Sequence, residues 1–233
     1  MPVRGADRAM NKPHVVWDWN GTLLIDNQIT ISAVIHAIHV HTGRAITHRD
    51  HQIHFRRPIR VFFETLAGRR LSNHEFDQIT NTFTRRCREL TPALPLHPDA
   101  AAALAQIRAD GFAQSLLSMH PHDELTVAVA HLGLRRYFSL VQGWRGGSDT
   151  KADHLRAHLT TLGRLSNPSS VVVIGDTIDD YAAAEVNGCR FIAVGDPESS
   201  LHDHTRFAER GVSVVFGLKE AVESVRKSLH VNS

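Results

Sequence analysis

Two short apolar runs that each lead into an aspartate place the strongest constraint on how this chain can fold. Residues 15–17 are Val-Val-Trp and precede Asp18, and residues 171–174 are Val-Val-Val-Ile and lead through a glycine to Asp176. Short apolar runs broken by glycine are typical of buried strands in a parallel sheet. Ligands bind at the carboxyl ends of such strands, so both aspartates are expected at one functional edge.

The second half of the chain alternates helical and short apolar segments. Strands are predicted over residues 14–19, 112–117, 138–141, 171–174, 191–194 and 212–216. Helices are predicted over residues 99–110, 122–132, 151–162, 179–186, 201–210 and 218–229. Such alternation is typical of a doubly wound α/β fold with a parallel sheet.

The segment between residues 26 and 94 has a different, helical pattern. Apolar residues recur at near-helical spacing from Ile29 to Val40, and further helical patterns cover residues 59–66 and 75–90. No convincing strand interrupts them. We therefore predict three or four helices, inserted into the α/β core.

The domain boundaries follow from this change of pattern. Residues 13–25 and 95–233 are predicted to form the core, and residues 26–94 the inserted helical domain. Residues 1–12 are polar and lack the apolar stretch of a signal peptide, so we expect a loosely attached lead-in.

Composition limits the partners and the location. The chain has 233 residues and a net charge of +2 with histidines neutral, which predicts no nucleic-acid partner. No apolar run approaches the roughly 18 residues of a membrane span. The two cysteines, Cys87 and Cys189, lie far apart, so we expect reduced thiols and a cytoplasmic location. The expected assembly is a monomer or a homodimer.

Histidine is unusually frequent. The chain has 17, and seven of them fall between His36 and His74. They are not spaced like the ligands of a zinc site. Most of the seven are expected on helix surfaces.

Four polar features at predicted strand ends form a coherent set for phosphoryl transfer. A carboxylate such as Asp18 can attack phosphorus and form an acyl phosphate, which water then hydrolyses. Lys151, and a divalent ion held by Asp18 and Asp176, would offset the approach of two anions. Ser118 and backbone amides near Gly21 would bind the phosphoryl oxygens. Oxygen-only ligands favour Mg²⁺ over zinc.

The run from Asp18 to Thr22, Asp-Trp-Asn-Gly-Thr, resembles the first signature of the haloacid dehalogenase (HAD) superfamily of aspartate-nucleophile phosphatases. Ser118 matches the second signature, Lys151 the third, and residues 175–188 resemble the extended fourth. The resemblance implies a Rossmann-like core and Mg²⁺-dependent hydrolysis of a small phosphorylated metabolite. It also implies phosphate contacts from the loop that ends at Thr22.

Further ligand roles are implied by the resemblance. Asp176 is expected to bind the metal directly, with Asp180 as the second acid and Asp179 as its ambiguous neighbour. The family also uses the backbone carbonyl of the residue two places after the nucleophile, which here is Asn20. Alternatively, Asp179 and Asp180 complement the dipole at the start of a helix.

Asn20 is the main departure from the family pattern. The residue at this position is usually an aspartate that protonates the leaving group and later deprotonates water. An amide cannot do this, and such help is typically worth about 10²–10⁴-fold. His120 and His54 are candidate substitutes. Alternatively, His120 is a solvated loop residue and His54 lies on a helix surface.

The helical insertion lies where the phosphoglycolate-phosphatase-like branch of the superfamily inserts a helical cap. Residues 57–60, Arg-Pro-Ile-Arg, resemble the substrate-facing turn of such caps. Residues 26–95 hold ten arginines against six acidic residues, and most of these arginines are expected to be solvated. Arg57 is predicted to reach the substrate.

Two functions from different classes remain open. The first is a Mg²⁺-dependent phosphatase, which the presence of Asp18, Lys151 and Asp176 favours. The second is a weak or inactive HAD-fold protein that binds a phosphorylated ligand or a protein partner, and its support is Asn20. A phosphonate-cleaving enzyme would need a cap lysine, and the sequence has none between residues 12 and 151.

Overall fold

Residues 13–90, 95–146 and 150–230 are described by the computed structural model, and they form a parallel six-stranded sheet. The strands are β1 (His14–Trp17), β2 (Ala113–Pro121), β3 (Val141–Trp144), β4 (Val171–Gly175), β5 (Arg190–Val194) and β6 (Val214–Val215). Their order across the sheet is β3-β2-β1-β4-β5-β6. The order reverses at β1, so the chain is doubly wound, as predicted.

The helices surround this sheet and also fill the segment between β1 and β2. They are α1 (Asn27–Thr42), α2 (His48–His54), α3 (Ile59–Ala67), α4 (Asn73–Leu90), α5 (Ala100–Ala109), α6 (His122–His131), α7 (Lys151–Thr161), α8 (Ile178–Val186), α9 (Thr205–Ala208) and α10 (Leu218–His230). Among the described residues no helix is both long and apolar enough to cross a membrane.

The first strand is buried on both faces. Val15 and Trp17 pack into an apolar core with residues of α5, α6 and α10, whereas Val16 packs into a second core with residues of α7 and α8. Successive side chains of a strand point to opposite faces, so one short run serves both cores. This central position fixes the residues that follow β1.

Helices α1 to α4 share an apolar core of their own. Ile31 of α1, Phe62 of α3 and Ile79 of α4 are buried together in it. The last of these helices has a side-chain cap, because the Oγ of Ser72 accepts a hydrogen bond from the backbone N–H of Glu75 at 3.2 Å. The helical character of this segment is therefore confirmed, and Ser72 is the capping residue.

The chain after β5, including α9, contacts α2 and the residue that follows it. Gln52 donates through Nε2 to the carbonyls of Pro197, at 3.1 Å, and Ser200, at 3.0 Å. Arg206 donates through Nη1 to the carbonyl of Phe55 at 2.9 Å. The helical segment is thus held to the α/β part by side-chain hydrogen bonds as well as by its chain connections.

Several predicted boundaries were wrong. The first strand ends at Trp17 and not at residue 19. The third, predicted over residues 138–141, begins at Val141, because residues 135–137 form a 3₁₀ turn that occupies the preceding chain. In the tail, the helix predicted over residues 201–210 shortens to α9 and the strand over 212–216 to β6.

Parts of three features that the sequence predicts lie outside the described residues. They are the lead-in over residues 1–12, residues 91–94 of a proline-marked linker predicted over residues 91–95, and residues 147–148 of a glycine-rich loop predicted over residues 143–148. Gly143 belongs to β3 and not to a loop.

Candidate active site

Three carboxylates meet at the carboxyl edge of the sheet. Asp18 follows β1 and Asp176 follows β4, and these strands are neighbours in register. Asp180 lies in the first turn of α8, the helix after β4. One oxygen of each carboxylate lies within 4.8 Å of the others, and all three residues are buried. Carboxylates this close repel one another unless positive charge lies between them.

Lys151 supplies positive charge to this group. It is the first residue of α7, and its Nζ contacts Oδ1 of Asp18 and Oδ1 of Asp180. Burial alone would lower the pKa of Lys151, but Asp18 and Asp180 together outweigh burial and hold the pKa above its usual value. The lysine is therefore cationic at neutral pH.

The two carboxylate oxygens of Asp180 have different partners. Oδ2 accepts hydrogen bonds from the backbone N–H of Thr177 at 3.0 Å and from its hydroxyl at 2.5 Å, which completes a capping box at the start of α8. Oδ1 faces Lys151. One oxygen of Asp180 therefore caps the start of α8, while the other belongs to the charged cluster.

Asp176 has one oxygen with a donor and one without. Asn27 donates through Nδ2 to Oδ2 at 2.8 Å, whereas the buried Oδ1 has no hydrogen-bond partner among the described residues. Burial, followed by the nearby Asp18 and Asp180, raises the pKa of Asp176 well above its usual value. A buried anionic oxygen without a donor is costly unless a cation completes its coordination. The cluster of oxygen donors therefore fits a hard divalent cation such as Mg²⁺.

Asp18 faces the same conflict between burial and charge. Burial raises the pKa of Asp18 to about 7, although the Lys151 ammonium group acts in the opposite direction. The hydroxyl of Thr22 lies 3.5 Å from Oδ2 of Asp18. A cation bound beside Asp18 and Asp176 would favour the ionised, nucleophilic form of the carboxylate.

Asn20 is held by an acidic neighbour. Its Nδ2 donates to Oδ2 of Asp26 at 2.5 Å, and the backbone N–H of Gly21 donates to Oδ1 of the same carboxylate at 2.9 Å. Asp26 therefore fixes both the Asn20 side chain and the turn after it. Because the amide nitrogen is committed to Asp26, the Asn20 side chain has no acidic proton to offer a leaving group.

The glycine after Asn20 is required by the backbone and by the space around it. Gly21 has a φ of 75°, and a Cβ at this position would overlap the Asp176 carboxylate. The N–H of Thr22 donates to the carbonyl of Trp19 at 3.3 Å, which closes the turn. The predicted phosphate-binding role of Gly21 and Thr22 stays a prediction, since both N–H groups bond within the loop.

Ser118 and His120 lie together in the last part of β2. Ser118 is buried, and its Oγ accepts a hydrogen bond from the backbone N–H of His120 at 3.0 Å. The His120 Nε2 lies 3.6 Å from Oε2 of Glu124, one turn into α6. Burial lowers the pKa of His120, although Glu124 favours the protonated form. His120 is therefore a partly buried imidazole, and the solvated-loop alternative does not describe it.

A cavity of about 400 Å³ lies over the charged cluster, between the sheet edge and helices α1, α3 and α4. Asp18, Ser118 and Lys151 line it from the sheet side, and Arg57 reaches it from the helical segment. The Arg57 Nε lies 3.2 Å from Oδ2 of Asp179. Burial raises the pKa of Asp179, and Arg57 opposes that shift. The structure thus brings Arg57 to the cavity through an ion pair across it.

His54 is not brought to this site. It is exposed at the end of α2 and does not line the cavity. Conversely, Asn27 was not singled out from the sequence although it contacts Asp176. Its position directly after Asp26, at the first turn of a predicted helix that follows the nucleophile loop, is the signal that could have identified it.

The sequence matches known proteins over most of its length. A family model for haloacid dehalogenase-like hydrolases matches residues 13–188. A phosphoglycolate phosphatase of Synechococcus elongatus is 28% identical over 185 residues, which cover 77% of this chain and 82% of that protein. A phosphoglycolate phosphatase of Yersinia pseudotuberculosis is 30% identical over 102 residues, or 42% of this chain and 43% of that protein.

Solved structures agree on the fold. A HAD hydrolase, family IA, variant 3, from Entamoeba histolytica superposes with a TM-score of 0.73 at 15% identity, covering 94% of this chain and 99% of that one. A predicted phosphatase from Clostridium acetobutylicum gives a TM-score of 0.70 at 16% identity, covering 93% and 99%. At these identities the likeness concerns the fold alone.

Proposed function

The chain belongs to the haloacid dehalogenase-like hydrolase family and is a phosphoric monoester hydrolase, and from this premise we propose that it is a Mg²⁺-dependent phosphatase with Asp18 as its nucleophile. The observation that carries the proposal is the buried group of three carboxylates around Lys151 at the sheet edge. One of these carboxylates, Asp176, retains an oxygen without a donor among the described residues.

The reaction proceeds in two steps on Asp18. One carboxylate oxygen attacks phosphorus, the ester oxygen leaves with its electron pair, and an aspartyl phosphate forms. Water then attacks the phosphorus of that intermediate, releases phosphate and restores the carboxylate. Lys151 is already placed against Asp18, so its charge is available for the phosphoryl oxygens without a large movement. Ser118 donates its hydroxyl to a further phosphoryl oxygen from the cavity wall.

The metal would be held by Asp18, Asp176 and the backbone carbonyl of Asn20, with Asp180 as the outer acid. Bound there, Mg²⁺ would neutralise charge on the phosphoryl group and hold Asp18 ionised. Asn27 donates to Oδ2 of Asp176 and so orients the carboxylate, which leaves Oδ1 available for the metal. The phosphate contacts of Gly21 and Thr22 belong to the same proposal.

The helical segment, residues 26–94, acts as a cap over the site. Its Arg57 meets Asp179 of the α/β part across the cavity, so the ion pair joins the two parts over the site. A cap that covers the cavity excludes bulk water during the first step. The two phosphoglycolate phosphatases that the chain resembles support a small phosphomonoester as substrate.

The proton for the leaving group does not come from Asn20. The sequence offers His120 as a substitute, and it lines the same cavity as Asp18, but burial lowers its pKa and so disfavours the protonated form that a proton donor needs. The remaining attributes of the proposal are a cytoplasmic location and a monomer or homodimer. The two cysteines support the first of these, because Cys87 and Cys189 are free thiols.

The test is phosphate release by the purified chain with Mg²⁺, beside Asp18→Asn. The substrates are sugar, polyol, nucleotide, carboxylic-acid and aryl phosphates. We expect the variant to lose about 10³-fold or more of the activity, because removal of a nucleophile typically costs at least that much. Intact-mass measurement during turnover should show one added phosphoryl group on the wild type and none on the variant.

A matched control is Asp99→Asn, which changes a partly exposed carboxylate that pairs with Lys219 away from the site. It should retain full activity. If no ester gives Asp18-dependent phosphate release, the weak or inactive binding protein becomes the better description. Calorimetric titration with inorganic phosphate and Mg²⁺ would then measure whether the cavity still binds its ligand.

A further inference from the structure

A second and larger cavity adjoins the catalytic one. It measures about 860 Å³, against about 400 Å³ for the cavity over Asp18. The two lie side by side, because six residues line both. The shared residues are Asn20, Thr30, Phe83, Thr84, His120 and Pro121. An ester whose phosphoryl group lies at Asp18 in the smaller cavity therefore has the larger cavity beside it.

The walls of the larger cavity are mainly apolar. The apolar side chains come from the nucleophile loop, from α1 and α4 and from α6, so the cavity lies between the helical segment and the α/β part. They are Trp19, Leu24, Ile29, Phe83, Val127 and Ala128. Apolar walls of this kind bind apolar groups by removing their surface from water.

The charges around this cavity disfavour an anionic leaving group. Three carboxylates line it, those of Asp26, Asp123 and Glu124, against a single guanidinium, that of Arg88. Arg88 lies 3.9 Å from Glu124 and is 73% exposed, so it offers little net positive charge. A second carboxylate on the substrate, such as that of a glycolate group, would meet net negative charge there.

The cations of the smaller cavity are also engaged. Among the described residues that line it, Arg57 pairs with Asp179 and Lys151 with Asp18 and Asp180. Lys151 is needed for the phosphoryl group itself. A carboxylate on the leaving group would therefore have to break the Arg57 ion pair in order to find a partner.

The chemistry of Asn20 also restricts the leaving group, in addition to the shape of the two cavities. Its amide donates to Asp26 and supplies no proton, so an ester whose alcohol must be protonated as it leaves is at a disadvantage. A phenol has a pKa of about 10, as tyrosine does, and leaves as a stable anion. When Asp18 bonds to phosphorus, the P–O bond breaks, the phenolate departs with the electron pair, and solvent protonates it afterwards.

We infer that the preferred substrates are phosphate monoesters of an apolar phenol or enol, whose ring or chain occupies the larger cavity. The inference rests on the proposed phosphatase function and specifies its leaving group. The inferred substrates differ from phosphoglycolate, the compound in the names of the two bacterial relatives. The alcohol of phosphoglycolate is small, anionic and a poor leaving group.

The experiment compares phenyl phosphate, benzyl phosphate and phosphoglycolate under the same Mg²⁺ conditions. The first two are similar in size and apolar surface, but benzyl alcohol is a far weaker acid than phenol. We expect kcat/KM for phenyl phosphate to exceed that for benzyl phosphate by roughly 100-fold or more, which is the value of the missing proton donor. Phosphoglycolate should be the poorest of the three.

Two variants separate leaving-group chemistry from cavity binding. Asn20→Asp should accelerate benzyl phosphate far more than phenyl phosphate and so reduce the ratio between them. Val127→Asp adds a fourth carboxylate to the larger cavity and should raise KM for phenyl phosphate severalfold. Its matched control is Val186→Asp on α8, since Val127 is 70% exposed and Val186 72%, and Val186 lines neither cavity.

Equal turnover of phenyl and benzyl phosphate would overturn the inference, as would a kcat/KM for phosphoglycolate at or above that for phenyl phosphate. Either result leaves the phosphatase function standing. An identical KM for Val127→Asp and Val186→Asp would show that the leaving group does not occupy the larger cavity, and this result would also overturn the inference. If none of the esters gives Asp18-dependent phosphate release, the inference and the proposed function fail together.

Discussion

Two buried polar clusters lie at opposite ends of β1, and they are built on different principles. At the carboxyl end, the charged cluster of Asp18, Asp176, Asp180 and Lys151 leaves one carboxylate oxygen without a donor among the described residues. At the amino end, His14 begins a chain of neutral hydrogen-bonding groups. The same elements, β1 and α7, contribute to both clusters.

The histidine cluster consists of His14, Ser115, His158 and Gln142. The Ser115 Oγ lies 2.8 Å from the Nε2 atoms of both His14 and His158, and the His158 Nδ1 lies 2.8 Å from Oε1 of Gln142. The Gln142 oxygen accepts, so His158 carries its proton on Nδ1 and accepts from the Ser115 hydroxyl on Nε2. Ser115 in turn accepts from His14. Every group in this chain has a partner, and none carries charge.

The two clusters show which buried polar groups are available for chemistry. Satisfied neutral groups stabilise the fold and offer nothing to a ligand. Carboxylates that repel one another destabilise the fold, and a bound cation offsets this repulsion. Changes at the two ends of β1 should therefore have opposite effects on stability and activity.

The largest expected effect is at the charged end. Asp176→Asn removes one negative charge while keeping a side-chain oxygen that can accept from Asn27. We expect phosphatase activity to fall by about 10²-fold or more, as for other groups that stabilise transition-state charge. In EDTA the thermal midpoint of the variant should equal or exceed that of the wild type, because repulsion with Asp18 and Asp180 is relieved.

Added Mg²⁺ provides the matching control for Asp176→Asn. It should raise the thermal midpoint of the wild type, because a ligand that binds only the folded chain stabilises it, and it should have little effect on the variant. A variant that is less stable in EDTA and equally responsive to Mg²⁺ would contradict the cation-binding role of Asp176.

A smaller effect, with the opposite pattern, is expected at the histidine end. Ser115→Ala leaves the Nε2 atoms of His14 and His158 without their shared partner. An unsatisfied buried group costs about 1–3 kcal/mol, so the free energy of unfolding measured in urea should fall by that amount while kcat/KM stays unchanged. Ser139→Ala is the control, since its exposed hydroxyl donates to the carbonyl of Gln114 and its loss should matter less.

The smallest effect is a difference in pH dependence. Burial lowers the pKa of His14 to about 3 and that of His158 to about 4, from 6.5 in the unfolded chain. The unfolded state therefore binds more protons below pH 6.5, so this stability is full above that pH and is lost as the pH falls toward 4 and 3. Removing one such group should flatten the acid side of the profile by up to about 1.4 kcal/mol per pH unit.

The measurement is the urea midpoint between pH 7 and 4 for wild type and His158→Leu, with EDTA present. Asp18 acts in the opposite direction, because burial raises its pKa to about 7 from 3.8, and its contribution is lost as the pH rises. Asp18→Asn should therefore steepen the acid loss. Parallel profiles for the wild type and His158→Leu would show that His158 does not contribute.

Much of the charged cluster could be predicted from the sequence, because chemistry and strand periodicity coincide there. Asp18 and Asp176 each follow an apolar run, and parallel strands bring such positions to one edge. Asp26 and Asn27 were harder, since their roles depend on how the loop after β1 turns back on itself. The wrong boundary of β3 has a similar cause, because a 3₁₀ turn precedes the strand at its apolar start.

The histidine cluster was not predicted. His14 and His158 are far apart in sequence and meet only across β2, so no local spacing identifies them. Of the seven histidines between residues 36 and 74, His39, His54 and His74 are exposed as expected, His36, His41 and His48 are partly buried, and His51 is fully buried. Its burial depends on contacts with the loop after β5, which no pattern in the helix reveals.

The contact between α2 and the chain after β5 limits how the helical segment can move relative to the α/β part. Separating them there would break the Gln52 hydrogen bonds to two carbonyls and the Arg206 bond to Phe55. On the opposite side, α4 and α6 are linked through Arg88 and Glu124, an exposed pair that contributes little. Rotation of the helical segment about α2 would keep the α2 hydrogen bonds and break this exposed pair, so we expect ester and product to enter and leave between α4 and α6.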